Sequence, residues 1–131
     1  MKRFATFVAM SLLLAACSAL PQQTPASADI TVGFPKANAV VQSPLTVTGT
    51  ARGTWYFEAS FPIKLLDDQG NELASAVAQA QGDWMTEDFV PFVTTLTFTT
   101  TAKMGTLVLQ KDNPSGMPEN DKSVSIPVRF E

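Results

Sequence analysis

From Asp29 onward the chain alternates apolar and polar positions with a period of two. Leu45, Val47, Gly49 and Ala51 alternate with Thr46, Thr48 and Thr50. Trp55, Phe57, Ala59, Phe61, Ile63 and Leu65 alternate with Tyr56, Glu58, Ser60, Pro62, Lys64 and Leu66. Phe92, Thr94, Leu96 and Phe98 oppose Val93, Thr95, Thr97 and Thr99, and Val124, Ile126, Val128 and Phe130 alternate with Ser123, Ser125, Pro127 and Arg129. Such alternation places one face of each strand on a core and the other in water.

Three further runs complete the set. Ile30 to Phe34 predicts an opening strand, and Thr106 to Lys111 supplies Leu107 and Leu109. Glu72 to Gln81 alternates poorly and its alanines also suit a helix. The hairpin-like Asp67-Asp68-Gln69-Gly70-Asn71 before it favours a strand. About seven strands with turn signals between them predict an all-β chain folded as an immunoglobulin-like β-sandwich. With one cysteine, no inter-sheet disulfide can form, so packing alone holds the sheets, with Phe57, Phe61, Trp84, Phe98 and Phe130 as expected anchors. Pro62 and Pro127 lack a ladder donor, which predicts edge strands or bulges at both.

The start of the chain reads differently. Met1-Lys2-Arg3 is basic, and Phe4 to Ala16 carries no charge. A spanning helix needs about 20 apolar residues, so this stretch predicts a cleaved secretory signal, residues 1–16. Leu14-Ala15-Ala16-Cys17 resembles the bacterial lipobox, in which the cysteine thiol takes a diacylglycerol and the signal is cut before it. The alternative is an ordinary signal peptide with an incidental cysteine. On the lipobox reading, acyl chains on Cys17 anchor the protein to a membrane without spanning it, each buried methylene contributing about 0.8 kcal/mol. The expected location is extracytoplasmic. Ser18 after the cysteine resembles the pattern passed to the outer membrane in a cell that has one.

Ser18 to Ala28 is uncharged, small and proline-bearing, so residues 17–28 are expected to form the lipidated cysteine and a flexible tether of about 35–40 Å reach. The folded domain is then residues 29–131. Loss of Lys2 and Arg3 moves the net charge from -3 to -5. An acidic chain with few clustered bases argues against nucleic acid.

Catalytic chemistry finds little material. The chain has no His, no Ser-x-x-Lys and no Gly-x-Ser-x-Gly. The carboxylate pairs Asp67/Asp68, Glu87/Asp88 and Glu119/Asp121 fall in predicted turns, where solvated acids are ordinary. No enzyme activity, cofactor or metal site is assigned.

Two features are candidates for binding. The loop 112–122 exceeds an ordinary hairpin connection, and its Asp112, Asn113, Ser115, Glu119, Asn120 and Asp121 offer polar contacts. Its oxygens suit a hard cation, but the spacing matches no EF-hand, and a structured connector explains it equally. In a regular strand Trp55 and Tyr56 point to opposite faces, which makes Tyr56 the candidate exposed aromatic for a sugar or protein contact.

The chain also resembles a known family, the bacterial spore germination immunoglobulin-like domains. The resemblance runs from about Ile30 to Phe130. It rests on Ser43-Pro44 with Val47-Thr48-Gly49-Thr50-Ala51, then Gly53 to Phe61, Asp67 with Gly70, Gly82-Asp83-Trp84-Met85 and Phe89. Lys111 to Gly116 and Ile126-Pro127-Val128-Arg129-Phe130 complete it. It implies a noncatalytic binding or accessory β-sandwich and carries no catalytic residues. The expected role is contact with another envelope protein through a sandwich end or an edge strand. The alternative is peptidoglycan or other glycan binding through Tyr56 and the loop.

Overall fold

The structure, a computed structural model, describes residues 26–131. The expected signal, Cys17 and the tether up to residue 25 lie outside the described residues. Nine strands form: β1 (Ala26–Ser27), β2 (Ile30–Phe34), β3 (Ala39–Val40), β4 (Leu45–Arg52), β5 (Ser60–Asp67), β6 (Glu72–Ala80), β7 (Phe89–Leu96), β8 (Met104–Gln110) and β9 (Ser123–Arg129). Short 3-10 turns occupy Gly53–Trp55 and Pro118–Asn120.

The strands form one continuous ladder in the order β1-β2-β4-β7-β6-β5-β8-β9-β3. Every pairing is antiparallel except β3 with β9. The ladder folds over at β6. Most of β6 pairs with β5, from Leu66↔Glu72 to Ser60↔Gln79, whereas only Gln79↔Val93 and Ala80↔Phe92 join it to β7. Two layers therefore face one another, β1-β2-β4-β7 against β5-β8-β9-β3.

The core fills the space between them. Ile30, Val32, Val47, Ala51, Val90, Phe92 and Leu96 come from one layer, and Phe61, Ile63, Leu65, Leu107, Leu109, Ile126 and Val128 from the other. These are the alternating positions, so the period-two pattern and the burial pattern coincide. At its centre the Phe61 ring meets Trp55, Tyr56 and Phe92 edge-on, at centroid distances of 5.7, 5.1 and 5.0 Å. Gly49 makes room for this cluster. A Cβ there would collide with the Thr31 carbonyl and lie 2.8 Å from Cζ of Phe92.

Several expectations are corrected. Alternation does not run through residues 55–60: Gly53–Trp55 is a 3-10 turn, and Glu58 and Ala59 adopt positive φ of 50° and 66°. That turn resets the face, so Trp55 and Tyr56 are both buried and Phe57, expected as an anchor, is 44% exposed. Trp84 and Phe98 are partly buried against the core, and Phe61 and Phe130 are buried as expected. The run beginning at Phe92 belongs to a strand that starts at Phe89 and ends at Leu96.

Pro62 does not mark an edge. Its strand lies between β6 and β8, but the β8 pairing stops at Ile63↔Leu109, so the missing donor falls just beyond it. Pro127 fits better, since β9 is covered outwardly only by the short β3 at Val128 and Arg129. Ala26–Ser27 pairs with Thr31 and Ile30, so strand pairing begins within the segment expected as tether.

Candidate functional site

One end of the sandwich collects the candidate residues. There β4 runs into the 3-10 turn, β8 and β9 are joined by the 111–122 loop, and β6 and β7 are joined by residues 81–88. β1 turns into β2 at this end. Asp29 ion-pairs with Arg52 Nε at 3.4 Å and Lys122 Nζ at 3.2 Å, and its carbonyl accepts from the Arg52 amide at 2.8 Å.

The long loop is built from its own side chains. Lys111 N–H donates to the Lys122 carbonyl at 2.9 Å and closes the base, while Asp112 N–H donates to the Trp55 carbonyl at 3.0 Å. Asn113 Nδ2 donates to the Met117 carbonyl and to Asp121 Oδ1, both at 2.8 Å. Ser115 Oγ donates to Asn113 Oδ1 and accepts from Met117 N–H and Asn120 Nδ2. Asn113 and Ser115 thus act first as internal ties, which explains why a proline- and glycine-bearing loop holds one shape.

A hollow of about 340 Å³ opens beside this loop, lined by Thr54, Tyr56, Lys111, Asp112, Asn113, Pro114, Ser115 and Asn120. The fold therefore brings Tyr56, Asp112, Asn113, Ser115 and Asn120 to one place. Glu119 is exposed on the 3-10 turn outside that lining, and Asp121 lines a separate depression with Val108, Gln110, Lys122 and Ser123.

Tyr56 is not the exposed aromatic expected of it. It is only 4% exposed, and its hydroxyl donates to the Val90 carbonyl at 2.7 Å. Burial pushes its phenol up to about 12. The ring is a structural wedge on Phe61, and little of it is left for stacking.

The exposed apolar side chains at this end are others. Met85 is 77% exposed, and Phe57, Phe89 and Met117 are also exposed. A second hollow, of about 370 Å³, is lined by Gly82, Asp83, Thr86, Asp88, Phe89, Val90 and Pro91. The Arg52 guanidinium lies 4.5 Å from the Phe89 ring centroid, and its Nη1 donates to the Glu87 carbonyl at 3.0 Å. Asp83 Oδ1 accepts from Met85 N–H at 3.0 Å, shaping the loop. Nothing in the local pattern marked this hollow, since it depends on the register Arg52↔Phe89 between distant strands.

Charge is uneven here. Glu58, Asp83, Glu87, Asp88, Asp112 and Glu119 share this end with Arg52, Lys111 and Lys122, and two of those bases are already engaged by Asp29. Among the described residues, no three acidic, histidine or cysteine side chains converge as a metal-binding group.

These features define an all-β, immunoglobulin-like interaction domain with an acidic, partly apolar end. The family of immunoglobulin-like domains of bacterial spore germination matches residues 29–129. The chain belongs to that family, which points to a noncatalytic interaction domain. Neither curated proteins nor solved structures returned a match.

Proposed function

We propose that this protein is a lipid-anchored component of a bacterial cell envelope whose immunoglobulin-like domain binds another envelope protein. The anchor rests on Leu14-Ala15-Ala16-Cys17 behind a short charge-free run. The binding role rests on one observation above the rest. Apolar side chains are exposed at both ends of the sandwich, Phe34, Val40 and Met104 at one and Phe57, Met85, Phe89 and Met117 at the other, but only the second set stands beside the hollows formed by residues 82–91 and by the 111–122 loop. Exposed apolar side chains gathered in one region of a small domain mark contact surfaces.

Sandwich ends are favoured over edges for this contact. Pro127 removes a donor from the outer side of β9 and interrupts that edge, whereas the hollows and the loops that shape them lie at the sandwich end.

Two experiments test the proposal. Mass spectrometry of the protein extracted from membranes should find acyl groups on an amino-terminal Cys17, and Cys17→Ser should release the protein from the membrane fraction. Recovery of an unmodified Cys17 on a membrane-free protein would refute the anchor. In-cell photo-crosslinking from Met85 and from Phe57 should capture a protein, whereas capture of glycan alone would favour the carbohydrate alternative.

A further inference from the structure

We infer that the hollow between residues 82–88 and the start of β7 receives a basic side chain, lysine or arginine, from the partner protein. This rests on the protein-binding reading above and names where and how the contact is made.

The hollow combines three properties that a cation on an apolar stem requires. Its lining has two carboxylates, Asp83 and Asp88, and no basic residue. Asp88 makes no ion pair or carboxylate hydrogen bond among the described residues, and Asp83 uses Oδ1 toward Met85 N–H. Phe89 and Pro91 supply apolar wall against which the methylenes of a lysine or arginine can lie while the charged head reaches the carboxylates.

The domain already handles one cation at this ring. Arg52 sits over Phe89 at 4.5 Å, held in place by the Glu87 carbonyl and Asp29. Ring faces attract cations because of the π quadrupole, and Phe89 also borders the open hollow. Complementarity selects the occupant class. The surrounding excess of acids repels anionic lipid and anionic polymer and attracts a basic protein segment. Met85 beside the hollow adds an apolar, adaptable contact for the residue next to the base.

The test uses the full chain and two matched synthetic peptides, one alternating arginine with leucine and one alternating glutamate with leucine. Amide chemical shifts across residues 82–90 report binding. The arginine peptide should bind with shifts centred on 82–90, and added salt should weaken it. The glutamate peptide should not bind. Asp83→Asn with Asp88→Asn removes both charges but keeps the acceptor for Met85 N–H, so the loop holds. That variant should lose affinity by about tenfold or more, as expected when carboxylates facing a bound cation are neutralised. Equal binding by the double variant, shifts centred on 111–122, or no binding of the arginine peptide would each overturn the inference. Crosslinking from Met85 in cells separates the two levels. Capture that survives the double substitution keeps the protein-binding reading and sinks the hollow, and no capture from Met85 or Phe57 sinks both.

Discussion

The Tyr56 hydroxyl donates to the Val90 carbonyl oxygen at 2.7 Å, tying the segment before β5 to the start of β7. The two residues are 34 apart in sequence, and the phenol ties the segment that crosses from β4 to β5 onto the β7 strand near the acidic end. Tyr56→Phe keeps the ring against Phe61 and removes the second hydrogen bond to a carbonyl that also lies in the β4–β7 ladder opposite Ala51. Denaturant unfolding should show a loss of about 0.5–1.5 kcal/mol, the net contribution of one intramolecular hydrogen bond.

The same phenol sets an alkaline limit. Its folded-state pKa, about 12, lies above its ordinary value of 10.0. The neutral hydroxyl is thus favoured by folding. Its contribution is complete below pH 10 and is lost as pH rises from there through 12. Phenolate absorbance should titrate late and together with loss of near-ultraviolet dichroism, and in Tyr56→Phe the alkaline transition should lose this component.

Asp67 makes the opposite prediction at the other end of the sandwich. Hydrogen bonds to its carboxylate, first from the Asn71 amide and then from Gln69 N–H and the Asn71 side chain, lower its pKa below 3.8. The stabilisation is present above the unfolded value and disappears as pH falls through the lower folded value. Asp67→Asn should flatten acid denaturation in that range, measured by circular dichroism.

Phe61 and Phe57 form a matched pair for the core. Phe61→Ala removes the ring that three other aromatics meet and should cost about 3–5 kcal/mol. Phe57→Ala removes an exposed ring and should change stability by no more than about 0.5 kcal/mol while weakening partner capture. Thermal unfolding of both variants checks the first claim, and crosslinking checks the second.

Asn113→Ala should loosen the 111–122 loop without unfolding the domain. It deletes donors to Met117 and Asp121 and the acceptor for Ser115. Hydrogen exchange at residues 114–121 should quicken, with a global change of about 1 kcal/mol or less, since these bonds are solvent-facing.

Most of the sandwich was legible because its information is local and periodic. β2, β4, β6 and β9 lie where alternation or a turn signal placed them, and Ala-rich β6 formed a strand because the Asp67–Asn71 turn directs it back along β5. What the sequence hid was non-local. The positive φ at Glu58 and Ala59 involves residues with no special turn preference, so nothing announced that Phe57 would leave the core and Tyr56 enter it. The grouping of Asp112, Asn113, Ser115 and Asn120 followed from loop composition. The acidic hollow at Phe89 needed the β4–β7 register, which no single strand contains.

The ladder's ends carry a last consequence. At one end of the ladder β3 covers only Val128 and Arg129 of β9, and the rest of that strand is an edge that carries Pro127. Many copies concentrated side by side in two dimensions would meet one another edge-first. Because Pro127 offers no donor in the open stretch of β9, a neighbour meeting that edge finds an interrupted template for extending the sheet. One proline on an open edge strand thus works against sheet-to-sheet association wherever such domains are crowded.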